Sequence, residues 1–293
     1  MTTLPTDSHP EGVMRYTAFS RDPAAGNPAG VMISSRLLAE QDMQRIAAEV
    51  GFSETAFVAP RADGDGYDVR YFSPAAEVPF CGHATIATAV AMAERDPTLE
   101  HVRLSTRSDV VPVAVRRGTD GVTATLTAPP ASHGPVLDRV LDETLGIFGW
   151  DRGVLDPRLP TSVASAGANH LVLPVATRRT LAGMAYDFEA LRAVMLRETW
   201  TTVSVVHRAA PAVFHARNAF AVGGVVEDPA TGAAAAALGG YLRDAGLLTA
   251  PARVTIHQGE DMGRPSLLLV DVPPAPGGIQ VTGSAVRIPV VSS

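Results

Sequence analysis

The sequence predicts two similar domains of mixed α and β structure, joined in tandem and related by an internal pseudo-repeat. Three observations lead there. The chain has 293 residues and is 46% hydrophobic, enough to bury a sizeable core and more than one small domain requires. In each half, strand-like runs surround one helix of small apolar residues, Ala84 to Glu94 in the first and Ala233 to Asp244 in the second. These helices begin about 150 residues apart, and each follows a strand and a turn rich in polar groups.

Taken in order, residues 1–12 form a polar leader with no basic segment followed by an apolar one, so no secretory signal is expected. Val13 to Phe19 reads as a strand, Asp22 to Gly30 as a loop punctuated by Gly, Pro and Asn, and Val31 to Ser34 as extended chain. Leu38, Met43, Ile46, Ala47 and Val50 have helical spacing, with Gly51 as the stop. Strands follow in the segment from Gly51 to Val58 and over Tyr67 to Phe72. After the small-residue helix, His101 to Leu104, Val110 to Val115 and Val122 to Thr127 read as further strands. Pro129-Pro130 breaks the chain, which places a 13–128 domain before a 129–293 domain, the last strand being able to return to the first. In the second domain, Val136 to Phe148 and Phe188 to Leu196 read as helices. Ala168 to Val175, Thr201 to His207, Val213 to Asn218, Val254 to His257, Ser266 to Val270 and Ile279 to Val281 supply its extended segments.

Composition excludes several classes of function. A net charge of −6 gives no basic footprint for nucleic acid or an anionic membrane surface. All 24 basic residues are Arg, so a lysine Schiff base, a P-loop lysine and a lysine general base are absent, and with them pyridoxal-phosphate chemistry. One cysteine forms neither an intramolecular disulfide nor a Cys-rich zinc site, and a reducing, cytoplasmic location is expected. With no His-Glu-x-x-His and no dinucleotide loop spacing, neither a metal nor a cofactor is expected.

The chemistry-bearing residues gather at the two helix starts. Cys81-Gly82-His83 opens the first helix, where N–H groups without intrahelical partners favour a bound carboxylate or phosphate. Glu227-Asp228-Pro229-Ala230-Thr231-Gly232 opens the second, and its structural alternative is an ordinary turn with a helix cap. If the two halves are true repeats, the helix starts face each other across a cleft, a usual place for a small-molecule site. His170, His257 and Arg264 read as loop or packing residues.

Six segments in order resemble the phenazine-biosynthesis PhzF-like family, which shares its fold with diaminopimelate epimerase. They are Gly26 to Val31, Ser53 to Phe57, Arg70 to Pro74, Pro79 to Thr85, Glu227 to Gly232, and Gln258-Gly259 with Met262 to Ser266. The resemblance implies an α+β fold of two pseudo-symmetric domains, each a curved β-sheet or barrel wrapped around a central helix, and a homodimer. It also implies a cofactor-independent isomerase acting on a small unsaturated carboxylic or amino acid, in specialised metabolism; the family's best-known reaction isomerises a dihydro-hydroxyanthranilate. Glu54 becomes the proton-shuttling acid/base, supported by His83 and Asp228, with Ser53, Cys81, Gly82, Gly232 and Ala233 in contact with substrate.

Physical chemistry agrees with these roles. A carboxylate in apolar surroundings is tuned towards working pH, and Phe52, Ala56 and Phe57 flank Glu54 in sequence. His83 can donate to an oxygen, Asp228 can hold an ammonium or hydroxyl, and backbone N–H groups around Gly82 and Gly232 suit a carboxylate. Two departures from the family pattern stand out. Epimerases of this fold pair two cysteines, whereas here Cys81 stands at the first of those positions and Thr231 or a neighbour at the second, and Cys81 reads as a buried small hydrophobe. Ala233 stands where a serine often follows. Two alternatives stay open: a racemase or epimerase using Glu54 with Cys81, and a non-catalytic carboxylate-binding protein.

Overall fold

The computed structural model describes residues 12–107 and 109–289. The leader expected over residues 1–12 lies, but for Gly12, outside the described residues. The chain forms two compact units, one from the residues up to Leu126 and again from Thr282, the other from Thr127–Val281. Among the described residues no helix is long and apolar enough to cross a membrane.

The first stretch of chain contributes β1 (Met14–Ala18), β2 (Asn27–Ile33), α1 (Glu40–Val50), β3 (Glu54–Pro60), β4 (Tyr67–Phe72), β5 (Glu77–Val78), α2 (Gly82–Arg95), β6 (His101–Ser105), β7 (Val110–Gly118) and β8 (Gly121–Thr127). The second contributes β9 (Ser132–Pro135), α3 (Asp138–Ile147), β10 (Ser162–Ser165), β11 (Asn169–Pro174), α4 (Arg178–Ala182), α5 (Phe188–Glu198), β12 (Thr202–Ala210), β13 (Val213–Ala219), β14 (Glu227–Asp228), α6 (Gly232–Asp244), β15 (Ala252–Gln258) and β16 (Ser266–Val272). β17 (Gln280–Arg287) ends the series.

In the first unit, pairings run β17 to β1, β2, β3, β4, β6, β7 and β8, and β8 returns to β17, closing a mixed eight-stranded ring. The pairings of β2 with β3 and of β4 with β6 are parallel, bridged by α1 and α2 respectively. Helix α2 is buried from His83 to Ala93, which only a helix apolar on all sides can sustain. Its alanines and threonines keep it thin enough for a ring of strands to surround it. Arg117 caps its far end, donating to the carbonyls of Ala93 at 2.7 Å and Asp96 at 2.9 Å, where the helix dipole favours a cation. α1 packs Met43, Ile46, Ala47 and Val50 against Phe52, Phe57 and Phe72, so β3 is buried on both faces.

The second unit repeats this order. β10, β11, β12, β13, β15 and β16 pair in the same succession as β1, β2, β3, β4, β6 and β7, with parallel pairs at the equivalent places, and β9 joins the outer edge of β10. α6 takes the place of α2 and is buried from Ala234 to Leu242. Glycine is required in it: a Cβ on Gly240 would stand 2.2 Å from the Ala131 Cβ. α3, α4 and α5 share an outer apolar cluster with β11 and β12, built around Leu145, Leu191, Met195 and Trp200. The fold is thus the α+β arrangement of strands around a central helix that the resemblance implies.

Three differences from the sequence reading have physical causes. The loop expected through Gly30 gives way to strand at Asn27, because Pro28 pairs only with β1 at Thr17 and the parallel ladder with β3 begins one residue later, at Ala29. The last strand runs to Arg287, past Gly283, whose missing Cβ makes room for the Phe19 ring. β9 and β10 are short and lack alternation, which hid them.

Candidate active site

Sequence motifs and fold converge at the start of α2. β3 begins at Glu54, beside Ala29 of β2, and Cys81 is the extended residue that precedes the first turn of α2. Strand periodicity points Glu54 to the face opposite Phe57, which belongs to the α1 cluster together with Phe52. Phe57 therefore does not shield Glu54, and the carboxylate lies against the helix start instead. Its Oε2 lies 3.3 Å from His83 Nε2. Ser53 Oγ lies 3.3 Å from the same nitrogen.

The other ring nitrogen is held as closely. Asn27 Nδ2 lies 3.1 Å and Cys81 Sγ 3.3 Å from His83 Nδ1. With the amide placed so that Nδ2 donates, Nδ1 is bare and the imidazole proton sits on Nε2, aimed at Glu54 and Ser53. Glu54, Cys81 and His83 are all buried, and one donor atom from each lies within 4.8 Å of the others. Cys81 is buried, as the sequence reading expected, and its thiol belongs to this polar cluster. Gly82 is the first residue of α2, so its N–H is one that the helix itself does not use.

Two braces set the approach to this helix. Arg70 pairs with Glu77 through Nη2 at 2.5 Å and Nε at 2.7 Å, and its hydrogen bonds hold the Glu77 carboxyl below the usual range. Tyr71 OH meets Thr85 Oγ1 at 2.6 Å, and burial pushes the phenol well up.

The second unit holds the remaining expected residues, Asp228, Gly232 and Ala233. Asp228 is buried at the end of β14, and Thr231 Oγ1 donates to its Oδ2 at 2.6 Å. Gln258, at the end of β15, ties the turn together: its Nε2 donates to the Asp228 carbonyl at 2.7 Å, and its Oε1 accepts from the Thr231 N–H at 3.1 Å. Gly232 is buried in the first turn of α6, and Ala233 is half-buried beside it with no polar atom on its side chain. The brace recurs here, Arg217 to Glu227 at 2.6 Å, two residues wide of the same turn as its counterpart.

The strand registers show how the halves diverged. Thr55 faces Phe72, which faces Glu77, while Val203 faces Ala219, which faces Glu227. Thr202 therefore occupies in β12 the place that Glu54 has in β3. Where the first unit has its carboxylate, the second has a neutral chain: His170 Nδ1 bonds Thr202 Oγ1 at 2.8 Å, which donates to Asn218 Oδ1 at 3.0 Å. His170 is fully buried, and burial pulls it down to about 3. Sequence reasoning gave no role to Asn27 or Gln258, although both lie within the motifs quoted; a polar residue beside Gly26 or Gly259, both at positive φ, was the available signal.

Comparison with known proteins gives a consistent answer. The family model described as phenazine biosynthesis-like protein matches residues 16–289. An uncharacterized isomerase of Deinococcus radiodurans is 34% identical over 266 residues, covering 87% of this chain and 84% of its own. Trans-2,3-dihydro-3-hydroxyanthranilate isomerase of Pseudomonas aeruginosa is 31% identical over 252 residues, covering 85% and 86%. The crystal structure of the Bacillus anthracis phenazine biosynthesis protein of the PhzF family superposes with a TM-score of 0.84 at 26% identity, covering 94% of this chain and 96% of that one.

Proposed function

The chain belongs to the phenazine biosynthesis-like protein family and is an isomerase, and from that premise we propose that it moves a proton within a small unsaturated carboxylic or amino acid, with Glu54 as the carrier. The observation that supports this reading is the buried Glu54 carboxylate facing His83 Nε2 at 3.3 Å. A carboxylate held there can take a proton from one carbon and return it to another. The C–H bond breaks as the O–H bond forms, the electron pair shifts along the conjugated system, and the O–H bond breaks as the new C–H bond forms. Nothing is oxidised or reduced. His83 orients the carboxylate through Nε2–H and stabilises its charged form before the first transfer and after the second, while Ser53 and the Gly82 N–H are suited to hold the substrate carboxylate. Asp228 is assigned a substrate hydroxyl or ammonium.

Geometry favours this over a paired-base epimerase. Two bases flanking one tetrahedral carbon each approach it to about 3–3.5 Å from opposite sides, which separates them by about 6–7 Å. The donor atoms of Glu54 and Cys81 lie within 4.8 Å of one another. That spacing suits two groups on one face of a substrate.

Turnover of trans-2,3-dihydro-3-hydroxyanthranilate and related unsaturated acids in deuterium oxide tests the reading. Deuterium is expected at a ring or allylic carbon of the product, and Glu54→Gln should abolish both incorporation and turnover with the circular dichroism unchanged. Incorporation at the α-carbon with inversion would instead establish the epimerase, and ligand binding with no exchange would establish a binding protein.

A further inference from the structure

The side chains that bear chemistry differ between the two helix starts, yet both starts are reached in one way. Glu77-Val78-Pro79-Phe80-Cys81-Gly82 leads into α2, and Glu227-Asp228-Pro229-Ala230-Thr231-Gly232 leads into α6. Glu, Pro and Gly stand at the same places in both, whereas Cys81 answers to Thr231, His83 to Ala233 and Asp228 to Val78. In each half an arginine stands two residues before the ladder partner of that Glu: Arg70 before Phe72, which faces Glu77, and Arg217 before Ala219, which faces Glu227. What two such diverged halves share serves geometry and not the transfer of a proton. We infer that Arg70 and Arg217 are positioning residues, each fixing through its Glu the turn that carries site groups: Cys81, Gly82 and His83 in the first half, Asp228 and Gly232 in the second.

The contacts are of the kind that fixes direction. Arg70 Nε donates to Glu77 Oε1 at 2.7 Å and Nη2 to Oε2 at 2.5 Å. Arg217 Nε donates to Glu227 Oε1 at 3.1 Å and Nη2 to Oε2 at 2.6 Å. Two side-by-side bonds hold the plane of a carboxylate as well as its distance, which a lysine ammonium cannot do. The arginine and glutamate side chains are 17% and 14% exposed in the first pair and 11% and 3% in the second, so water compensates little for a lost partner. The first turn is held at its far end too, where Thr85 Oγ1 donates to the Cys81 carbonyl at 2.7 Å, and the ring of Pro79 fixes one torsion between the two anchors. In the second, Gln258 is the far anchor, through the Thr231 N–H at 3.1 Å.

Outer charges meet the first pair from the solvent side. Arg107 Nε approaches Glu77 Oε1 at 2.9 Å and Glu40 Oε2 lies 2.8 Å from Arg70 Nη2, but these two side chains are 56% and 63% exposed, where ion pairs contribute little. In the second half Arg217 Nη1 donates instead to the carbonyls of Leu181, Ala182 and Met184.

Alkylation of the folded full chain by iodoacetamide tests the first clamp without a substrate. Cys81 is the only cysteine and is buried, so the rate of its alkylation reports how often this turn opens. Arg70→Met should raise that rate at least about tenfold through local opening. Arg107→Met should change it less than about twofold. Arg217→Met, in urea adjusted so that it and Arg70→Met have the same measured free energy of unfolding, corrects for global opening and should react at least about fivefold more slowly than Arg70→Met; Arg217→Lys serves if Arg217→Met does not fold. Equal rates in Arg70→Met and either comparison variant overturn the clamp. Arg70→Lys keeps the charge without the fork and should stay faster than wild type; full rescue would overturn the role of the fork.

The catalytic consequence rests on the reading of Glu54 and His83, whereas the labelling does not. In turnover of trans-2,3-dihydro-3-hydroxyanthranilate, Arg70→Met should lower kcat about 10- to 100-fold, the effect of displacing reacting groups by about 1 Å. Arg217→Met should chiefly raise KM, because Asp228 directly follows Glu227. Undiminished kcat in an Arg70→Met protein that labels fast overturns the positioning role. Full turnover in Glu54→Gln would refute the reading of Glu54 and leave the labelling result standing.

Discussion

Asn27 and His83, 56 residues apart in sequence, meet through Nδ2 and Nδ1 at 3.1 Å, and this contact decides which imidazole nitrogen carries the proton that Glu54 receives. Asn27→Asp preserves the shape but can only accept, so it moves the proton to Nδ1 and presents a bare Nε2 to the carboxylate. The expected result is a fall in kcat of about 100-fold with a much smaller change in KM, the size of a misdirected acid–base partner. Asn27→Ala should lose activity too, and more stability, about 1–3 kcal/mol, because it deletes a buried hydrogen-bond partner and leaves the weak thiol of Cys81 at Nδ1. Wild-type kcat in Asn27→Asp would show that the tautomer is irrelevant.

His170 gives a pH dependence whose sign is fixed by its burial. The folded state holds it down at about 3 from an ordinary value of 6.5, so the unfolded chain takes up the proton first. Its contribution is intact above about pH 6.5 and is lost progressively as pH falls towards 3, with a slope of at most about 1.4 kcal/mol per pH unit. His170→Asn keeps a donor for Thr202 and removes the titration. Urea unfolding at a series of pH values from 7 to 4 should therefore give a flatter profile for the variant, whatever its absolute stability, and parallel profiles would refute the assignment.

The sequence made the central helices, β7 and the α1 stop legible because each has a local cause. Small apolar residues without Gly or Pro wrote α2, alternation wrote β7, and Gly51 in the left-handed region ended α1. The motifs brought forward Ser53, Glu54, Cys81 and His83, and the structure places these four side chains together. What escaped depends on registers that no local pattern encodes. β17 continues through Gly283 only because Phe19 fills the space, and Thr202 matches Glu54 only through two ladders read together. The same limit explains the error over Phe57: it lies three residues from Glu54 in sequence but on the opposite face of β3.

Gly240 and Ala131 test how closely α6 approaches its surroundings. A methyl on Gly240 would stand 2.2 Å from the Ala131 Cβ, closer than two carbons tolerate. Gly240→Ala should cost about 1–3 kcal/mol through overpacking. Adding Ala131→Gly removes the clash, so a double-mutant cycle should recover part of the loss, less the backbone entropy of the new glycine. Strict additivity would place the strain elsewhere.

Gln258 is the residue on which the geometry of Asp228 depends. Its amide satisfies the Asp228 carbonyl and the Thr231 N–H together, and Nε2 also reaches Thr231 Oγ1 at 3.1 Å. Thr231 in turn donates to the Asp228 carboxylate, so the whole turn hangs from one buried side chain. Gln258→Leu keeps the bulk and removes both amide hydrogen bonds to the turn, the one to the Asp228 carbonyl being buried, at about 1–3 kcal/mol. Gln258→Glu keeps an acceptor for the Thr231 N–H and loses the donor to the Asp228 carbonyl, so it should be the milder in stability. If Asp228 holds substrate, both should raise KM in step with Asp228→Asn, whereas a lowered melting temperature with KM unchanged would make Gln258 a structural tie alone.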